Sequence, residues 1–406
     1  MTDEPAAIIV GAGVAGLTAA LALARHGLAS RIYERAPELH EVGAGLQLSP
    51  NATRLLDRLG VLEELRASAV EPQAVVLKKA ATLAPLTHVP LGAAAQARWG
   101  APYLVVHRAD LQAALLNRAR QQPLIEIVTG ALAEKADFHA GRPRLQILRD
   151  GESEEVHTPL LIAADGVWSH LRRLARTAVR SRFTGYVAWR ATVPVEEALA
   201  AGDGAIQPDR VTAFMHPKFH LVAYPISGGR AINLVAIVPG EVPLNAWAQD
   251  ADDAPLKKTL ASANPALARL AASRHASWTV WPIHQVDPAD AWTKPEGLAL
   301  IGDAAHAVPP FAAQGAGMAI EDATVLANLV AKHRDAPSVA LAAYEAQRKP
   351  RVSRVARRGA FNRFTWHASG PVALVRDAVL KTRSQEALMA DFDWLYGFDA
   401  EAPSES

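Results

Sequence analysis

From Ala6 to Ala24 the chain carries no charge, but the run changes character inside itself. The β-branched Ile8-Ile9-Val10 gives way to three glycines and then to an alanine- and leucine-rich stretch. Its length is close to the ~20 residues a membrane span needs, yet that change of texture predicts a buried strand, a turn and a helix. With "SRIYER" as the next strand, residues 6–35 form a βαβ unit. The pattern then predicts a helix near Asn51–Leu65, and a short strand running through His107-Arg108 into a helix from about Asp110. Residues 131–166 alternate apolar and polar positions around Gly-Arg-Pro and Asp-Gly breaks, which predicts an antiparallel meander ending in the buried strand "LLIAADG". Between Ser181 and Trp281 aromatic-bearing strands predominate, with one helix expected near Leu256–Ser273. After Leu298 the buried-strand-to-helix style returns, and the chain closes in helices and a polar tail.

A cofactor region interrupted by a substrate region is the simplest organisation. Its expected boundaries are 1–70, 103–180 and 295–345 for the first, 71–102 and 181–294 for the second, 346–398 for C-terminal helices and 399–406 for the tail. Composition narrows the chemistry. Of 406 residues 50% are hydrophobic, enough for a large core, and 42 basic against 41 acidic residues leave a formal charge of +1. No global field recommends nucleic acid, so a small-molecule partner is expected. The chain has no cysteine, which removes disulfides, thiolate nucleophiles and iron–sulfur clusters, so redox chemistry needs a borrowed cofactor. The start "MTDEP" lacks a basic secretory region, and a cytoplasmic location is expected. No membrane partner is expected either. The basic, aromatic stretch "RKPRVSRVARRGAFNRF" reads as a solvated or self-associating helix face in preference to a nucleic-acid or membrane surface.

Gly11, Gly13 and Gly16 spell G-x-G-x-x-G directly after a predicted strand and at the head of a helix, and with Val14 and Ala15 between them they are the cofactor-binding candidates of this turn. The first glycine permits the turn, the second lets a pyrophosphate approach, and the third lets helix and strand pack. Glu34, at the end of the following strand, is placed to accept hydrogen bonds from a ribose. Two further strands end on Asp165-Gly166 and Gly302-Asp303. Three such ends imply one ligand long enough to touch them all.

These motifs in order are GAGVAG with Glu34-Arg35, "GAGLQLSPNA" (43–52), "HRADL" (107–111), "ADGVWSHLR" (164–172), "YVAWR" (186–190), "GDAAHAVPPFAAQGAGMAIEDA" (302–323) and "WLYGFD" (394–399). Together the set resembles the single-component FAD-dependent aromatic hydroxylases, the group that includes 4-hydroxybenzoate hydroxylase, salicylate hydroxylase, 3-hydroxybenzoate 6-hydroxylase and 6-hydroxynicotinate 3-monooxygenase. The resemblance implies an α/β fold: a Rossmann-like FAD-binding domain of the glutathione-reductase type, an inserted substrate domain with a mixed or antiparallel sheet, and C-terminal helices. It implies FAD as cofactor, NADH or NADPH and O2 as co-substrates, and attack of an electron-rich ring on a flavin C4a-hydroperoxide. By the same resemblance Gly45 belongs to a cofactor-binding motif, Arg108 contacts the diphosphate or ribityl region, and Asp165 serves FAD and NAD(P)H. Asp303 binds the ribityl chain, Pro310 lies at the reactive edge of the flavin, and the helix opening at Gly315-Ala316-Gly317 faces the N1–C2=O locus. His306 of the family's GDAAH motif is expected to be a structural, hydrogen-bonded histidine.

A phenol attacks oxygen well once its proton is gone, and a histidine suits that task. "FMHPKFHLVAYPI" supplies His216, His220 and Tyr224, and Pro217 argues against a helical metal site there. On a strand, positions 220, 222 and 224 share a face, so His220 is the expected base and Tyr224 its hydrogen-bonding partner. The spacing also resembles that of the histidine and tyrosine serving the substrate phenol in 6-hydroxynicotinate 3-monooxygenase. In that enzyme the motif matching "GAGLQL" carries a substrate-binding histidine, whereas this chain has Gln47, which favours a benzenoid or other small hydroxyaromatic, salicylate-like substrate. Pro310, His220 and Tyr224 are thus the catalytic candidates. Gln47, His284 and Arg190, with Arg98 as another cation, are candidates for the substrate pocket. No metal is expected. A flavoprotein oxidase or dehydrogenase, or an N-heteroaromatic hydroxylase, is the alternative, and the chain is expected to be a monomer or homodimer.

Overall fold

The computed structural model describes residues 4–39, 45–175, 181–241 and 252–402. The first two residues of the 43–52 motif and the last four of the tail lie outside them. The N-terminal pattern folds as expected: strand Ala7–Val10 and strand Ser30–Tyr33 flank helix Val14–Arg25 and pair in parallel. They sit in a six-stranded sheet whose order, by first residue, is 293, 298, 161, 7, 30 and 125. Its five strands from 298 to 125 pair in parallel, and only the two-residue edge strand Thr293–Lys294 runs opposite. The central strands are buried throughout, as a sheet covered on both faces requires.

The meander 131–157 forms a separate three-stranded antiparallel sheet. The aromatic-bearing strands build a seven-stranded sheet in which Ala74–Lys79 and Pro85–Pro90 join strands drawn from 182–285. Ala74–Lys79 pairs in parallel with Arg210–His216, and every other pairing in this sheet is antiparallel. Strand Gly45–Leu48 pairs with Leu104–His107 in a two-stranded ribbon.

Two expected helices are each split. Gly60, at φ 71°, separates Pro50–Arg58 from Leu62–Arg66, and Asn264-Pro265 separates Ala254–Ala261 from Pro265–Ala271. A left-handed glycine ends one and a proline starts the next, the usual grammar of helix ends. Helix Pro337–Trp366 does not present its basic run wholly to water: Arg348 and Arg351 are buried and reach Glu321 and Asp322 in helix Gly315–Lys332. No helix among the described residues is long and apolar enough to cross a membrane.

Candidate active site

The three glycine- or aspartate-bearing strand ends lie side by side because strands 7–10, 161–163 and 298–300 are neighbours in the parallel sheet. Gly11 has φ 102°, and a Cβ on it would stand 2.5 Å from the Ala164 carbonyl oxygen. A Cβ on Gly16 would stand 1.9 Å from the Gly11 oxygen, so both positions hold glycine for reasons internal to the fold. Gly13 differs: a Cβ there meets nothing within 4 Å. The second turn abuts the first, since a Cβ on Gly302 would lie 3.2 Å from Ala15 and 3.1 Å from Ala319.

Glu34 receives hydrogen bonds from the amides of Ala12 (2.8 Å) and Ala36 (2.9 Å), while Arg35 beside it is exposed. Its carboxylate still has lone pairs to spare for a ribose. Arg108 opens helix Arg108–Arg120, whose Gln112 bonds the Ala12 carbonyl (3.3 Å). Asp165 holds the Leu171 amide with Oδ2, while its buried Oδ1 has no hydrogen-bond partner among the described residues. Asp303 is exposed, and Gly315, like Gly13, faces open space at the head of the 18-residue helix Gly315–Lys332. Gly317 lies within that helix's first turn, against Gln314 and Asn51. Open glycines, an orphaned carboxylate oxygen and a long helix's N-terminus are what an extended dinucleotide needs. The residues therefore fit FAD.

A residue that sequence reasoning quoted without a role joins two of these ends. Arg172, buried, donates to the carbonyls of Ala304 (2.7 Å) and Asp303 (3.0 Å). His306 bonds Asp322 (2.5 Å), and the same carboxylate oxygen accepts the Gly302 amide (2.9 Å). Burial alone would raise the Asp322 carboxyl, but His306 and Arg348 outweigh it and hold its pKa at about 2.

The seven-stranded sheet supplies the other wall. Along strand Phe219–Ile226, His220, Val222 and Tyr224 share one face, while Phe219, Leu221 and Ala223 pack into the separate core on the far side. Gly45 matters here as a missing side chain: a Cβ would lie 2.5 Å from Tyr224 Cε2, and its amide donates to Asn233 Oδ1 (2.8 Å). Burial pushes the Tyr224 hydroxyl well above its ordinary pKa, only partly opposed by Arg190. Burial lowers Arg190 too, and its Nε has no hydrogen-bond partner among the described residues. Gln47 accepts from the Tyr103 hydroxyl (2.7 Å).

His220 is 2% exposed, and burial, reinforced by His367, lowers its pKa to about 3. Its ring lies 5.5 Å from that of Phe311, which follows Pro310 in a short 3-10 turn. Phe311 also walls a cavity of about 290 Å³ together with Arg182, Phe183, Thr184, Gln285, Pro309 and Arg363. His284 packs between Trp168 (4.3 Å) and Phe183 (5.8 Å). Arg98 is engaged elsewhere, with both oxygens of Asp393 and with Glu386.

A family model described as "FAD binding domain" matches residues 4–359. The 3-hydroxybenzoate 6-hydroxylase 1 of Aquipseudomonas alcaligenes is 33% identical, the match covering 96% of this chain and 97% of that one. The 3-amino-4-hydroxybenzoate 2-monooxygenase of Streptomyces cremeus is 34% identical over 98% and 96%. Among solved structures, Klebsiella pneumoniae HpxO complexed with FAD and uric acid aligns with a TM-score of 0.81 at 26% identity, covering 95% of each chain. The cradle of strand ends and the matched family agree: the chain belongs to the FAD-binding aromatic hydroxylases and is an FAD-dependent monooxygenase.

Proposed function

We propose that this monooxygenase hydroxylates a small benzenoid hydroxy acid, with His220 as the base that takes the phenol proton. The observation that carries this reading is the shared face of buried His220 and Tyr224 with half-buried Val222 between them, set beside the Pro310-Phe311 turn. FAD, with NAD(P)H and O2, supplies the reducing equivalents and the activated oxygen. The chain's own residues do the rest. Gly13 and the amides of its turn hold the pyrophosphate, Glu34 and Arg35 the adenosine end, and Arg108, Asp165 and Asp303 the middle of the cofactor. The N-terminus of helix Gly315–Lys332 stabilises negative charge at the ring by about 0.3–1 kcal/mol.

Burial keeps His220 neutral at working pH, so a ring nitrogen is free to accept a proton, but its lowered pKa makes it a weaker base than an ordinary histidine and the proton cannot rest there. Tyr224 keeps its proton and can donate a hydrogen bond to the phenolate. Arg190, half-buried and with a buried Nε that has no hydrogen-bond partner among the described residues, is the cation for the substrate carboxylate, with Gln47 and His284 completing the pocket. Arg182 and Arg363 at the cavity wall give an acid a favourable approach. Relatives named for 3-hydroxybenzoate and 3-amino-4-hydroxybenzoate support this substrate class.

The test is a screen of hydroxybenzoates for stimulated NADH and NADPH oxidation, with peroxide quantified and the product weighed after turnover in 18O2. One labelled oxygen per NAD(P)H oxidised is the expected result. Peroxide alone across the whole series would move the chain to the oxidase reading.

A further inference from the structure

Hydrogen bonding at His220 raises a question of proton bookkeeping that a single base cannot answer. Its Nδ1 lies 3.0 Å from Nε2 of His367, the residue that caps the C-terminal end of helix Pro337–Trp366. The two rings are boxed by Phe311, Trp366 and Tyr186, the last stacked on His367 at 6.0 Å. One nitrogen of the pair must donate and the other accept. For His220 to accept a proton through Nε2, its own proton must sit on Nδ1, and His367 Nε2 must then be the acceptor. The tautomer that makes His220 a base is thus the tautomer His367 can enforce.

We propose that His367 is the second member of a proton relay, receiving through Nε2 the proton equivalent that His220 takes from the substrate. The inference rests on the reading of His220 as the base. The substrate O–H bond breaks as an N–H bond forms at His220 Nε2. The His220 Nδ1–H bond breaks as one forms at His367 Nε2, and His367 releases its Nδ1 proton to water. No electron is transferred between groups, and both histidines end neutral. When the hydroxylated product takes a proton from His220 Nε2, the chain runs backwards and resets.

The surroundings favour such a hand-off. Among the described residues, His216, from strand Arg210–His216, and Arg363, from helix Pro337–Trp366, disfavour positive charge on His367, and the other titratable group against the pair is the Tyr186 stacked on that ring. Burial adds to this, so a cation resting on either ring is costly and the proton is better passed on. His367 is only partly buried, which gives the proton its way out.

The test has a resting-state arm and a turnover arm, both on the FAD-loaded enzyme. In 15N-histidine NMR the wild type should show His220 protonated on Nδ1. His367→Ala should move that proton to Nε2, and His367→Gln, whose carbonyl oxygen accepts in the same place, should keep it on Nδ1. In turnover with 3-hydroxybenzoate, His367→Ala and His367→Gln should both lose about 10²-fold in kcat/KM near pH 7 and recover as pH approaches ~10, where a phenol ionises unaided. A wild-type His220 already protonated on Nε2 would overturn the relay, as would full-rate turnover by His367→Gln. His220→Ala separates the two ideas. If it hydroxylates at the wild-type rate, the base reading itself falls; if it is impaired while both His367 variants match wild type, only the relay falls.

Discussion

Replacing Gly13 with valine separates the glycine turn's role as backbone from its role as a cradle. Gly13 has φ −76° and ψ −173°, angles open to any residue, and a Cβ there meets no heavy atom within 4 Å. Restricting the unfolded chain stabilises by about 0.4–1 kcal/mol, and placing an apolar side chain at a helix N-cap costs a similar amount. The apoprotein should therefore change by no more than about 1 kcal/mol, or ~2 °C in melting temperature. The side chain enters the space a pyrophosphate would occupy. Losing two hydrogen bonds from turn amides to a charged group, at about 1.5–3 kcal/mol each, weakens FAD binding by roughly 3–6 kcal/mol, on the order of 10²–10⁴-fold. Gly16→Ala is the contrast, because its Cβ would sit 1.9 Å from the Gly11 oxygen and the fold itself must give way. Quenching of FAD fluorescence on titration into stripped protein reads the affinity, and circular dichroism reads the melting. A Gly13→Val protein that purifies with stoichiometric FAD would refute the cradle. An apoprotein that melts many degrees lower would refute the claim that the space is free.

Three other variants test other parts of the structure. Arg348→Ala leaves Glu321 and Asp322 buried without their shared cation and should cost about 3–5 kcal/mol in urea unfolding; a loss under about 1 would mean the network does not stabilise the fold. Gly45→Ala should push the Tyr224 ring aside and lower kcat by about 10²-fold while FAD stays bound, and an unchanged kcat would free Tyr224 of any role. The His220–His367 pair should also appear in stability against pH. Their folded pKa values, about 3 and about 4, lie below the unfolded value near 6.5, so the unfolded chain binds more protons in between. That contribution is full above pH 6.5 and falls as the medium is acidified towards 4 and 3. Between pH 6 and 5 each histidine should add up to about 1.4 kcal/mol per pH unit to the slope, which the double variant His220→Gln/His367→Gln should lose. An unchanged slope would contradict the buried neutral pair.

The parts of this molecule that were legible in the sequence are those whose physics is local. Gly11 and Gly16 announce themselves because a turn and a close approach admit no side chain, and period-2 alternation puts His220 with Tyr224 whatever the sheet does. His367 could not be found that way. It stands 147 residues from His220, and only the length and direction of helix Pro337–Trp366 bring the rings together. Arg348 and Arg351 did leave a signal that the basic run obscured. They fall with Val352 and Val355 on one buried stripe, so two arginines occupy core-facing positions and demand buried acids. The adjacent Glu321-Asp322 pair, the only acids in helix Gly315–Lys332 and both on its buried side, makes the matching demand.

That mutual demand explains why helices far from the ring chemistry belong to the site. Two adjacent buried carboxylates repel, and two guanidinium groups from another helix neutralise them: Arg348 bonds both acids and Arg351 grips Glu321 with two nitrogens. Glu321 also takes Asn51 (2.7 Å), whose neighbour Ser49 accepts from Gln314, the residue capping helix Gly315–Lys332. Asp322 meanwhile holds the Gly302 amide and His306 with one oxygen. The charges therefore fix the two ends of the second glycine stretch, the turn before Asp303 and the helix start at Gly315, relative to one another. Those are the ends proposed to meet the ribityl chain and the flavin ring, and a cradle held rigid before its cofactor arrives loses less entropy on binding it. Buried ion pairs seldom stabilise more than an apolar core would, so their value here lies in direction. An apolar repacking of Glu321, Asp322, Arg348 and Arg351 could keep the fold, but it would give up the hydrogen bonds that aim Gly302 and Gln314.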